Sequence, residues 1–175
     1  MSADLKQALK DCGALQFGDF TLASGAKSKY YIDIKRASTD PRVLKLIAEE
    51  MAAKLKDMDL KVDRIAGIVL GSIPLATALS LETGIPYVMV RKEKKDHGTG
   101  KLIEGVLNDG DRVLVVEDVI TSAGSSVVSI RILREAGAAV ENVFSVIDRE
   151  AGGTEALADI GVRFSPLVRA SDLLE

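Results

Sequence analysis

Apolar positions recur with two different periods along the chain. Near the start, Leu5, Ala8 and Leu9 share one face at helical spacing, which predicts a short amphipathic helix over residues 2–12 with Ser2 placed to cap it. Gly13 and Gly18 break that pattern. The stretch from Phe20 to Ile34 then predicts two short strands around a Ser/Gly-containing turn. Val43, Leu44, Ile47, Met51 and Leu55 return to helical spacing and predict a helix over 41–56, with Asp40 as its cap and Pro41 in its first turn.

Beyond this helix the pattern changes to short runs that are apolar throughout. They cover Ile65 to Leu70, Tyr87 to Val90, Arg112 to Val116 and Val143 to Ile147. Runs of this length without alternation predict strands buried on both faces. Helical stretches lie between them, from about Leu75 to Glu82 and from about Ser126 to Glu135, with Gly84-Ile85-Pro86 and Gly137 where helices should stop. Strands alternating with helices predict parallel βαβ units. The expected fold class is α/β, a central, mostly parallel sheet flanked by helices, formed by a single domain over residues 1–175. The first forty residues do not fit the alternation and are expected to form a small appended subdomain; the last twenty add little. In such a sheet, ligands bind at the carboxyl ends of the strands, so the polar residues following each run are the candidates for function.

Composition narrows the picture. The 175 residues are 47% hydrophobic and 28% charged, as in a globular chain, and a net charge of −3 with a pI of about 5.3 gives no reason to expect a nucleic-acid or membrane-surface partner. A lone cysteine, Cys12, rules out an internal disulfide, and a lone histidine, His97, argues against a zinc site. Cys12 reads as a small buried side chain near the end of the first helix. The chain shows no secretory signal at its start and no apolar stretch long enough to span a bilayer, which points to the cytoplasm.

The most informative segment runs from Val113 to Ser126. Apolar residues lead to Glu117 and Asp118, and then to Thr121, Ser122, Gly124, Ser125 and Ser126 before a helix. Small residues let backbone N–H groups approach a phosphate, hydroxyls add donors, and the helix N-terminus favours negative charge. Two carboxylates beside such a loop suit ribose hydroxyls, or Mg²⁺ directly or through its waters. The plainer reading is an acidic turn followed by a serine N-cap. The segment fits neither the Walker loop nor the dinucleotide glycine fingerprint.

A second polar segment, Arg91 to Gly100, carries Arg91, Lys92, Lys94, Lys95 and His97 among glycines. A charge run is usually a solvated surface. Here a cationic, glycine-rich loop also suits a diphosphate leaving group, whose charge grows as its bond breaks. His97 or Lys95 could also donate a proton there, an effect worth roughly 10²–10⁴ in rate.

The first segment resembles the signature of type I phosphoribosyltransferases, which use phosphoribosyl diphosphate (PRPP). The resemblance implies that Glu117 and Asp118 hold the ribose hydroxyls and that Thr121, Ser122, Ala123, Gly124 and Ser125 hold the 5-phosphate, with Val119 and Ile120 completing the PRPP stretch. The second resembles the Arg-Lys-x-x-Lys-x-His-Gly loop of orotate phosphoribosyltransferases, here Arg91, Lys92, Lys95, His97 and Gly98. In that family the loop serves the partner subunit's site, which implies a homodimer. Gly71-Ser72, after another strand, resembles the family's diphosphate loop without the lysine that some members carry, so its backbone would have to serve.

Two further segments bear on the acceptor. Phe20 to Asp33 resembles the N-terminal orotate-family motif, with Lys27 as its lysine, and Val146 to Gly153 resembles the Asp-Arg segment. Orotate is a flat anion whose carboxylate calls for Arg or Lys. Arg149, with Thr121 beside it, is the first candidate and Lys27 the second. The competing readings are an ion pair of Arg149 with Asp148 or Glu150, an exposed turn for Lys27, and simple packing for Tyr30 and Tyr31.

The implied reaction is transfer of ribose 5-phosphate from PRPP to orotate, with Mg²⁺ carried on PRPP oxygens and waters and no metal-binding side chains required. Lys95, His97, Arg91, Lys92 and Asp118 would be the catalytic residues. A purine phosphoribosyltransferase would share the phosphate loop but lack the basic loop. A PRPP-binding transcription regulator would need a DNA-binding segment that the first residues do not provide.

Overall fold

The chain opens with the helix its spacing predicts, α1 (Ala3–Asp11), which buries Leu5 and Leu9 completely. The computed structural model describes residues 3–22, 25–93 and 100–175. Cys12, just past α1, is half-buried, with its thiol donating to the Leu9 carbonyl at 3.5 Å. The two predicted strands follow as an antiparallel pair, β1 (Leu15–Thr21) and β2 (Lys27–Ile32), with a register shift between Phe17 and Phe20. The second strand stops at Ile32, two residues short of the expected Ile34. The Asp33 carboxylate accepts the Lys35 N–H at 3.2 Å and starts a short helix, α2 (Ile34–Ser38). The Asp40 carboxylate then accepts the N–H groups of Arg42 and Val43 and begins α3 (Pro41–Asp57), with Pro41 in its first turn.

The apolar runs become strands of one sheet: β3 (Arg64–Ile68), then α4 (Ile73–Thr83), β4 (Tyr87–Val90), a short β5 (Ile103–Glu104), β6 (Arg112–Ile120), α5 (Gly124–Glu135) and β7 (Ala139–Asp148). The predicted end of β6 at Val116 falls four residues early, because Val119 and Ile120 still pair with Ile147 and Asp148 of β7. Parallel pairing continues through the two acids because the ladder is made by the backbone, and Glu117 finds its partners inside the fold. The tail contributes more than its pattern suggests. It forms α6 (Gly153–Ala158), a full edge strand β8 (Arg163–Arg169) and α7 (Ala170–Leu174). Pro166, with Arg163, Ser165 and Arg169, interrupts the apolar run by which a central strand would be recognised.

The sheet order is β5-β4-β3-β6-β7-β8, parallel except for β5. Successive residues of the central strands enter different cores. Ile65, Leu114, Val116 and Phe144 pack with α1, α3 and α4 on one face. Ala66, Val113, Val115 and Val143 pack with Ile130 and Leu133 of α5 and Leu157 of α6 on the other. Period-two alternation with both faces apolar is what makes each run read as continuous. The opposite end of the sheet is tied by Arg112, whose guanidinium and N–H grip the Asp63 carboxylate at 2.8–3.1 Å. No helix among the described residues is long and apolar enough to cross a membrane.

Candidate active site

Strand order reverses between β3 and β6. The chain leaves β3 for β4 on one side and returns to place β6 on the other. A crevice opens at the carboxyl ends of strands at such a point. Here Gly71 and Ser72 follow β3, while Glu117 and Asp118 lie in the last half of β6.

The loop after β6 is shaped for an anion. Ala123 adopts a left-handed conformation (φ 65°) immediately before α5. The first turn of α5 leaves the N–H groups of Gly124, Ser125 and Ser126 without helical acceptors. Thr121, Ser122, Gly124 and Ser125 are exposed, while Ile120 and Ala123 are buried and anchor the loop. The Lys92 ammonium donates to the Ser125 hydroxyl at 2.9 Å, so the start of the basic segment already reaches the phosphate loop of its own chain. Arg91, at the end of β4, has its N–H bonded to the Leu102 carbonyl at 2.7 Å, and its buried Nε has no hydrogen-bond partner among the described residues. Lys94, Lys95, His97 and Gly98 lie outside the described residues.

The two acids differ in environment. Glu117 is buried, and its carboxylate accepts the Ser72 hydroxyl at 2.6 Å and the Ser126 hydroxyl at 3.0 Å. Burial pushes its carboxyl up to about 7; the nearby Asp118 charge adds to this, and the two serines and Lys92 oppose it. Asp118 is half-buried, and its Oδ1 accepts the Val119 N–H at 2.8 Å. Gly71 lies directly against it, where a Cβ would sit 2.5 Å from Asp118 Oδ2. All three hydrogen-bonding groups of Ser72 are engaged, its hydroxyl by Glu117, its N–H by the Ile68 carbonyl at 3.3 Å and its carbonyl by the Ala76 N–H at 3.0 Å. That leaves Gly71 as this loop's approach to a ligand.

Beside Asp118 a cavity of about 390 Å³ lies under the hairpin, lined by Tyr31, Lys35, Asp118, Thr121, Ser122 and Arg149 among others. Thr121 and Arg149 therefore meet as the sequence suggests. Arg149 makes no ion pair with its neighbours. Its guanidinium lies 4.9 Å from the Tyr30 ring centroid, Asp148 accepts the Glu150 N–H, and Glu150 accepts the Ser171 N–H. Tyr30 thus packs and also supports a cation. Lys27 is not brought into this cavity. It stands at the hairpin tip beside Phe20 and Lys29, its ammonium donating to Thr21 at 2.7 Å.

Lys35 is a cavity residue that no motif marks, and Ser126 takes a different part from the one its segment suggests. Lys35 lines the cavity, and its signal was its place directly after the strand in Asp33-Ile34-Lys35. Ser126 is not the N-cap its composition suggests: α5 begins at Gly124 with no side-chain cap, and the Ser126 hydroxyl turns inward to Glu117.

Comparison with known proteins agrees with this geometry. The family model "Phosphoribosyl transferase domain" matches residues 36–164. An orotate phosphoribosyltransferase of Methanosarcina mazei is 55% identical over 172 residues, covering 98% of this chain and 91% of that protein. The crystal structure of orotate phosphoribosyltransferase from Aeropyrum pernix superposes with a TM-score of 0.88 at 35% identity, covering 97% of this chain and 96% of that one. The Mycobacterium tuberculosis orotate phosphoribosyltransferase in complex with PRPP gives a TM-score of 0.82 at 31% identity, covering 99% and 98%. Joined by sequence along almost its entire length and by the same architecture, this chain belongs to the orotate phosphoribosyltransferase family.

Proposed function

We propose that the protein transfers the 5-phosphoribosyl group of PRPP to a ring nitrogen of orotate, a step of pyrimidine nucleotide synthesis. The C1–oxygen bond to diphosphate breaks, a C1–nitrogen bond forms, and orotidine 5′-monophosphate and diphosphate are the products. The observation that carries this reading is the juxtaposition at the switch point of Glu117 and Asp118, the N-terminus of α5, and the cavity holding Arg149. The 5-phosphate sits on the N–H groups and hydroxyls of Thr121 to Ser125, the ribose hydroxyls on Glu117 and Asp118, and the orotate carboxylate on Arg149 with Thr121 at the ring edge. Gly71 lies against the diphosphate. Arg91 and Lys92, with Lys95 and His97 that follow them in sequence, stabilise the leaving group. Lys27, held by Thr21 at the hairpin tip, stands outside this cavity and is given no part in it. No covalent nucleophile is needed, since positioning and electrostatics lower the barrier.

Mg²⁺ fits this site as a companion of the substrate. Among the described residues there is no cluster of three potential metal ligands. One carboxylate is engaged by two hydroxyls and the other faces the cavity, a donor set suited to an ion that keeps its waters and binds substrate oxygens. When bound, Mg²⁺ supplies neutralising charge to the diphosphate.

The working unit we infer is a homodimer sharing the basic loop, in the cytoplasm. Apolar residues surround α4 on its outer as well as its inner side, and Leu81 (83% exposed) in its last turn and Leu70 (74% exposed) in the loop before it remain uncovered. A second copy seated there would cover them. Sedimentation would then give twice the chain mass, falling to one chain mass in Leu81→Lys.

The reaction is tested by following loss of orotate absorbance with PRPP and Mg²⁺. Loss that requires PRPP supports the reading. Turnover of a purine base in place of orotate overturns the acceptor, and PRPP binding without transfer to any base moves the assignment to a regulator.

A further inference from the structure

We propose that Ser126 is a positioning residue for the reaction: together with Ser72 it clamps the Glu117 carboxylate in the orientation that receives the ribose. The inference rests on the reading of Glu117 as a ribose-binding acid. Its observations are geometric. The two glutamate oxygens each accept one serine hydroxyl, Oε2 from Ser72 at 2.6 Å and Oε1 from Ser126 at 3.0 Å. All three side chains are buried, Ser72 and Ser126 at 1% exposure and Glu117 at 6%.

Three separate segments meet at this carboxylate. Ser72 comes from the loop after β3, Glu117 from the middle strand β6, and Ser126 from the first turn of α5. A glutamate carries three side-chain torsions, and in a buried site without donors it would rotate or take up a proton. A protonated acid offers a hydrogen where a ribose hydroxyl also has one to donate. A carboxylate has about four acceptor positions. Two hydroxyl donors use about half of them and fix the plane of the group, leaving the remainder for the ribose.

The clamp also joins neighbouring subsites. The consecutive residues Gly71 and Ser72 touch the consecutive acids Asp118 and Glu117, one by close approach and the other by a hydrogen bond. Ser126 stands one residue beyond Ser125, which receives Lys92. Movement of the diphosphate loop or of the phosphate-binding turn therefore acts directly on the ribose acid.

The test compares Ser126→Ala, Ser126→Thr, Ser72→Ala and Glu117→Gln, with Ser126→Ala also made in the Glu117→Gln background. PRPP affinity is measured by calorimetry without orotate, and kcat and KM for each substrate are measured in the forward reaction. Loss of one hydrogen bond to a charged group predicts weakening of PRPP binding by on the order of tenfold in Ser126→Ala. KM for orotate should stay within about twofold, and Ser126→Thr should restore most of the loss. In the Glu117→Gln background, Ser126→Ala should cost less than about twofold more, because the group it positions has already changed. Unchanged PRPP affinity in Ser126→Ala, or an equal further loss in the Glu117→Gln background, overturns the proposal. Ser72→Ala repeats the test from the other oxygen should Ser126→Ala fail to fold. Failure of the orotate reading would appear differently, as wild-type protein that binds PRPP without consuming orotate, and the calorimetric comparison still decides the clamp.

Discussion

Glu117 should make the stability of this protein depend on pH in a direction opposite to that of most carboxylates. Its carboxyl is raised from 4.5 to about 7, chiefly by burial. Between those values the folded chain holds a proton that the unfolded chain has released, so stability falls as pH rises. The contribution is fully present below 4.5 and lost above about 7. At about 1.4 kcal/mol per pH unit, the interval amounts to about 3 kcal/mol. For a domain of this size that corresponds to a Tm difference of about 6–12 °C. Glu117→Gln removes the titration while keeping the shape of the side chain. Urea unfolding of wild type and variant, repeated from pH 4.5 to 8.5, isolates the group, since every other titration cancels in the difference. The variant should gain about 3 kcal/mol relative to wild type as pH rises, with most of the change centred between pH 5 and 7. A flat difference across that range, or one of opposite sign, would refute the assignment of a destabilised buried carboxylate.

Three further substitutions test the packing around the site. Gly71→Ala places a methyl carbon 2.5 Å from Asp118 Oδ2 and must displace that carboxylate; kcat/KM for PRPP should fall by about 10–100-fold while the urea midpoint changes little. Gly153→Ala meets Ile120 Cγ2 and, at 2.9 Å, the Thr121 carbonyl oxygen, so it should destabilise the fold by about 1–3 kcal/mol in urea unfolding and weaken PRPP binding through Thr121. Ser129 buries a hydroxyl with no hydrogen-bond partner among the described residues, and Ser129→Ala should raise stability by about 1 kcal/mol in the same assay.

The parts of the molecule that were legible in the sequence are those where side chains repeat a regular period against a core. Residues 41–57 show their helix because one face meets the same core at every turn, and Tyr87 to Val90 reads as a strand because both faces are covered. The extension of β6 through Glu117 and Asp118 is hidden because consecutive acids ordinarily end a buried strand, whereas a buried glutamate is tolerated when two hydroxyls meet it. β8 was hidden by Pro166 and its polar flanks, a composition that only an edge position permits. In the site, Thr121 and Arg149 were found together because each follows a strand of the same sheet. Lys27 shows the limit of such reasoning, since a hairpin's direction is set by contacts far from the lysine itself. The Ser72–Glu117–Ser126 arrangement joins residues from three separate segments and leaves no local pattern, so it emerges only from the fold.

The two margins of the sheet bear on how the protein behaves in a crowded solution. One margin is β5, two residues long; the other is β8, which interrupts its row of backbone donors with Pro166 and carries Arg163 and Arg169 at its ends. An open strand edge is a template on which a second chain can add by backbone pairing and begin a fibril. A two-residue strand offers too little length for that addition, and a proline with flanking positive charges opposes it. The central strands carry short apolar stretches, Val113 to Val116 in β6 and Val143 to Ile147 in β7, rich in the β-branched residues most prone to such growth, and they stay sealed between margins that resist sheet-to-sheet extension.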